Sequence, residues 1–141
     1  MDYTERLAEA RLAVQTHDWP RAVELLKQCV DERFHEPEPA LLLGVALANV
    51  GDLEGAQHWL HEARTLAPND ARTVALLGQV HQRAGRLDEA EEAYRHALAM
   101  DHGCAPARDG LQRLQVHRKQ HPSHEVKTRP PWEYGQGDDK G

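Results

Sequence analysis

Aromatic residues make up only 5% of this 141-residue chain, with one Phe, three Tyr and three Trp. Sheets favour β-branched and aromatic side chains on their half-buried faces. Their shortage here, beside abundant alanine and leucine, predicts an all-α protein. Cysteine is scarce too. Cys29 and Cys104 lie far apart and in no metal-type spacing, which points to two reduced thiols in a cytoplasmic protein. No apolar run approaches the ~18 residues of a membrane span, and the most apolar one, residues 40–50, is interrupted by Gly44 and Asn49. The opening Met1-Asp2-Tyr3-Thr4-Glu5-Arg6 has no basic stretch leading into an apolar one, so no secretory signal is expected. A basic stripe is also missing. The formal charge is −6, with the acidic excess concentrated before Ala71, and nucleic acid is not expected as a partner.

What the chain does have is an internal repeat of thirty-four residues. Gly44 recurs as Gly78, Gly51 as Gly85, Leu43 as Leu77 and Leu53 as Leu87. Three-fold matches join Ala22, Ala56 and Ala90, then Leu26, Leu60 and Tyr94, then Cys29, Ala63 and Ala97. Each unit reads as two helices and a tight turn. In the middle unit Pro37 and Pro39 open a helix, where a missing N–H costs little, and Gly51 supplies a left-handed end. Asp52 is a good N-cap for the second helix, which places Leu53, Ala56, Leu60, Ala63 and Ala67 on one face. Pro68-Asn69-Asp70 then breaks the chain. Glycine inside a helix costs about 1 kcal/mol relative to alanine. Its use at Gly44 and again at Gly78 therefore predicts two places where paired helices approach closely.

Leu43-Gly44, Leu47, Gly51-Asp52, Ala56, Leu60, Ala63 and Pro68 resemble the tetratricopeptide repeat signature, as do Leu77-Gly78, Gly85, Ala90, Tyr94 and Ala97. The resemblance covers about residues 3–102 and implies an α-solenoid of three helix-turn-helix units, at about 3–36, 37–70 and 71–104. The first unit departs from the pattern, with Glu9-Ala10 for Leu-Gly, His17 for the turn glycine and Trp19-Pro20 at its second helix start. In the third, Arg86 replaces the capping aspartate and His102 the closing proline. Cys104, Ala107, Leu111 and Leu114 then form a narrow apolar stripe, as expected of a C-terminal capping helix over about 104–121 that closes the stack. The domain is expected to span 1–121. Residues 122–141, rich in Pro, Gly and charge, read as a disordered tail.

The family resemblance implies a concave groove lined by the first helix of each pair. By repeat position its lining is Leu7, Arg11, Val14 and Gln15, then Leu41, Leu42, Val45, Ala48 and Asn49. Arg72, Ala75, Leu76, Gln79, Gln82 and Arg83 follow, with Arg113 and His117 extending it. Leu41, Leu42 and Val45 cannot all face the core beside Ala40, Leu43 and Leu47, so either a partner or the neighbouring repeat covers Leu42 and Val45. Arg11, Arg72 and Arg83 suit carboxylates of a ligand or stand as solvated charges. The resemblance also implies a test for one ligand class. Family members that grip acidic chaperone tails use a clamp of lysine, asparagine and arginine, and those places hold Leu7, Arg11, Leu42, Arg72 and Leu76 here. That clamp is effectively absent, and an apolar segment or partner helix fits better.

Ten histidines raise the alternative of a histidine-based metal carrier, through His58 with His61, or His117 with His121 and His124. Neither group has a convincing carboxylate or cysteine to complete it, so no metal is expected. A nucleophilic centre needs a base and an orienting group. Cys29 sits where repeats keep a small buried residue, and Cys104 near His102 lacks a third member. Trp132 and Tyr134, in Pro130-Pro131-Trp132-Glu133-Tyr134, read as a docking motif, a segment folding back into the groove, or a tail without function. The expectation is a protein-binding adaptor, scaffold or specialised chaperone, with no enzymatic activity and no cofactor. Self-association through exposed repeat faces is the remaining alternative.

Overall fold

The computed structural model describes residues 1–120. His121, His124 and the segment 122–141, with Trp132 and Tyr134, lie outside the described residues. Seven helices and no strand occur among those described: α1 Tyr3–Gln15, α2 Trp19–Glu32, α3 Pro37–Asn49, α4 Leu53–Leu66, α5 Ala71–Arg83, α6 Leu87–Met100 and α7 Ala105–Gln120. Consecutive helices pack as antiparallel pairs α1/α2, α3/α4 and α5/α6, and α7 lies across α5 and α6. This is the α-solenoid of three hairpins with a capping helix.

The repeat is visible in the hydrogen bonds. In each hairpin turn one residue takes a positive φ, 95° at Gly51 and 85° at Gly85, and the next amide reaches back to the carbonyl five residues earlier. Those bonds are Asp52 N–H to Leu47 O at 2.9 Å and Arg86 N–H to His81 O at 2.9 Å. The first hairpin makes the same bond, Asp18 N–H to Ala13 O at 2.8 Å, with His17 at φ 61°. A non-glycine residue there carries left-handed strain. The His17 imidazole stacks on Trp19, with ring centroids 5.2 Å apart, a contact that offsets part of it.

Asp52 caps α4 by accepting from Gly55 N–H at 2.9 Å, and Asp2, Asp18 and Asp70 cap α1, α2 and α5. Arg86, at the corresponding place before α6, makes no side-chain cap bond. It instead donates to Gln57 Oε1 at 2.6 Å, tying α6 to α4.

The two helical glycines mark close contacts between paired helices. A Cβ on Gly44 would stand 2.7 Å from Leu60 Cγ, and one on Gly78 would stand 2.8 Å from Tyr94 Cε1. Tyr94 is completely buried, and the same ring edge also meets α7 at Gly110, where a Cβ would stand 2.5 Å from Cε1. Arg118 (α7) pins the cap to α6 through Asp88 at 2.6 Å and Glu91 at 3.3 Å.

Candidate protein-binding groove

Two depressions adjoin on the face formed by α3, α5 and α7. The first, of about 130 Å³, lies between α3, α4 and α5 and is walled by Val45, Ala48, Asn49, Leu76, Gln79 and Arg83. At its bottom the bare backbone of Gly44 lets the buried Leu60 of the paired helix pack directly against α3. The second, of about 430 Å³, lies between α5, α6 and α7, bordered by Gln79, Gln82, Arg83, Leu87, Arg113 and His117, with Tyr94 as floor. Gln79 and Arg83 belong to both, so the depressions share a wall.

The residues expected in the groove divide into three groups. Val45, Asn49, Leu76, Gln79, Arg83 and Arg113 come together at the two depressions. Leu7 and Leu41 are buried at 8% and 5% exposure and belong to the core behind the groove. Leu42 packs half-buried against that core, while Gln15 and Arg72 remain exposed. Asn49 turns its amide back onto its own helix, donating to Val45 O at 2.8 Å.

The charges are as uneven as the shape. Arg11 forks onto Glu38 of α3, with Nε donating to Oε2 at 2.8 Å and Nη2 to Oε1. The bond holds the Glu38 carboxyl below the usual carboxylate range and raises Arg11. The guanidinium expected to meet a ligand's carboxylate is thus already matched within the chain. Arg72 stands 4.0 Å from Asp70 and is largely solvated. Among the described residues neither Arg83 nor Arg113 forms an ion pair. Tyr94 Oη donates to Gln82 Oε1 at 2.8 Å, and burial pushes this phenol up to about 12.

Leu60, Val80, Leu87 and Tyr94 were not among the residues expected to line the groove. A signal for two of them was present: Leu60 and Tyr94 share one repeat phase, opposite Gly44 and Gly78. A helix lacking a side chain at that phase lets the residue facing it pack directly on its backbone, beneath the depression.

A third depression, of about 250 Å³, lies on another face and collects His61, His81, His96, Glu89 and Glu92. Among the described residues, no group of three or more His, Cys, Asp or Glu side chains is arranged to hold a metal ion. His81 Nδ1 accepts from Arg86 Nε at 3.2 Å and stands 3.4 Å from Glu89. Accepting that bond requires the neutral ring, and burial keeps the imidazole below its ordinary value despite the glutamate. Cys29 is fully buried, and desolvation raises its thiol, so it behaves as a small core residue.

The family model of the tetratricopeptide repeat matches residues 38–101, which span α3 to α6. Residues 38–101 of the chain carry tetratricopeptide repeats. Its tetratricopeptide solenoid is similar to several solved structures. The TPR domain of Arabidopsis OM64 aligns with a TM-score of 0.76 at 16% identity, covering 82% of this chain and 95% of that one. The Sgt2 TPR domain from Aspergillus fumigatus gives 0.76 at 18% identity over 91% and 85%. The Yersinia enterocolitica type III secretion chaperone SycD, in complex with a peptide of the translocator YopD, gives 0.73 at 14% identity over 82% and 93%. At these identities the likeness is one of fold. A protein O-mannosyl-transferase of Caenorhabditis elegans is 29% identical over 97 residues, 69% of this chain but 14% of that protein. The tetratricopeptide chain therefore spans about a seventh of that relative's length. Among the described residues no helix is long and apolar enough to cross a membrane.

Proposed function

We propose that this chain is a non-enzymatic protein-interaction module, an adaptor or specialised chaperone of the cytoplasm, that seats a partner's peptide or helix in the groove of α3, α5 and α7. One observation carries the reading. Two depressions of mostly apolar lining, the larger bordered by two arginines, adjoin on one face and share Gln79 and Arg83, the combination of apolar lining and few polar groups that suits a bound segment. Two proteins of similar fold support it by what they bind. SycD holds a translocator peptide, and a TPR domain of Spaghetti (RPAP3) is bound to an HSP90 peptide. Quantitative co-purification from cells tests the proposal, with the groove double variant Val45→Glu/Leu76→Glu set against a change away from it, Glu62→Lys. Proteins retained by wild type and by Glu62→Lys should be lost from the groove variant. Recovery of the same proteins by all three would refute the groove as the docking surface.

A further inference from the structure

Resting on that reading, we propose that the partner segment carries an apolar side chain and, within a few residues of it, an internal acidic one. The apolar side chain enters the pocket over Leu60, and the carboxylate enters the cleft lined by Arg83 and Arg113. The pocket supplies the first half. It is small, about 130 Å³, with Val45, Ala48 and Leu76 as walls, and it rewards an aliphatic side chain by removing it from water. The cleft supplies the second half, through its surplus of donors. Arg11 is spent on Glu38, Arg6 on Glu32 and Arg118 on Asp88 and Glu91. Arg83 and Arg113 form no ion pair among the described residues, yet both border the cleft. The Tyr94 hydroxyl donates to Gln82 Oε1, which leaves the NH₂ of that amide as a further donor. Two guanidiniums and an amide N–H with no matching acceptor are complementary to an anion, and a carboxylate takes such donors in charge-assisted bonds.

The shared wall sets the two groups within a few residues of each other, because a chain crossing between pocket and cleft passes Gln79 and Arg83. The places where, by the resemblance, family members grip a free terminal carboxylate hold Leu7, Arg11, Leu42, Arg72 and Leu76 here; three are apolar, Arg11 is paired with Glu38, and Arg72 lies outside both depressions. An acidic side chain within the segment is accordingly the match.

A phage-displayed library of random dodecamers, each fused through its C-terminus to the coat protein and so lacking a free carboxylate, tests the inference on the full chain. Wild type should enrich sequences with Asp or Glu within a few residues of Leu, Ile or Met. A selected peptide, resynthesised with an amidated end, should lose about tenfold or more in affinity on Arg83→Gln/Arg113→Gln. Its own acid-to-amide version should lose the same on wild type, and combining the two changes should cost little more. Both arginines are exposed, so circular dichroism should show an intact fold. Enrichment without acids, or an acidic binder indifferent to the arginine changes, overturns this inference. If such binders still respond to Val45→Glu/Leu76→Glu, the groove reading stands. Binders indifferent to both variants overturn both. A gain of about tenfold on deleting residues 121–141 would make the chain's own tail the occupant and equally overturn a partner's acid.

Discussion

Substituting Gly110 by alanine tests whether the Tyr94 ring is a wedge that fixes the capping helix. A Cβ at Gly110 would stand 2.5 Å from Tyr94 Cε1 and Cζ and 2.9 Å from Oη, so the ring would have to retreat. The same Cε1 lies so close to α5 that a Cβ on Gly78 would be 2.8 Å away, and the hydroxyl is bonded to Gln82. Retreat is blocked, and overpacking of this kind costs about 1–3 kcal/mol. Alanine recovers about 1 kcal/mol of helix propensity over glycine, leaving a net loss of roughly 0–2 kcal/mol. A double-mutant cycle with Tyr94→Leu separates the two effects. Leucine stands at the same phase in the second repeat, as Leu60, and lacks Cε1, Cζ and Oη, the atoms that would clash. In that background Gly110→Ala should stabilise by about 1 kcal/mol, so the two sites should couple by about 1–3 kcal/mol. Urea unfolding followed at 222 nm, with the slope checked for constancy, reads all four proteins. A Gly110→Ala change that stabilises the wild-type background as much as the Tyr94→Leu background would refute the wedge.

Two further predictions concern the turns and the histidines. Gly51→Ala and Gly85→Ala meet no atom within 4 Å, so their cost is the left-handed backbone alone, about 1–2 kcal/mol each, readable by the same denaturation. His17→Gly relieves comparable strain but forfeits the stacking on Trp19 and should change stability by less than either. A loss larger than both would disprove the balance. The pH prediction follows from His81, whose folded value lies below the ordinary 6.5 because of burial. The folded state binds fewer protons than the unfolded one, so stability is complete above about pH 6.5 and is lost as pH falls through the folded value. Glu36 and Glu38, held low by bonds from Tyr3 and Arg11, lose their contributions only below about pH 4.5. His81→Gln should flatten the upper limb of a pH series of melting temperatures and spare the lower one. An unchanged upper limb would exclude His81 as its source.

The fold was legible because a thirty-four-residue period repeats every local decision. Gly44 and Gly78 announced helix contacts, Asp52 a cap and Gly51 a left-handed end, and the structure has each. Gly110 carried no such signal. It lies two residues short of the phase that would follow Gly78, since α7 packs against α5 and α6 in its own register, and its role depends on a ring that only tertiary packing places there. The ion pair between Arg11 and Glu38 was hidden for a related reason: it joins α1 to α3 at a spacing unrelated to the repeat. Periodicity reveals which face a residue occupies but not which charge lies opposite.

Helix α5 belongs to two cores. Its Leu77 and Val80 pack with the first two hairpins, whereas Ala71, Val74 and Ala75 pack with α6 and α7. The hollow over Leu60 depends on the former and the basin over Tyr94 on the latter. Exchanging α6 and α7 behind an unaltered α5 would therefore remove Arg113 and the Tyr94 floor while sparing Arg83 and the aliphatic hollow, so the two halves of this surface can vary separately.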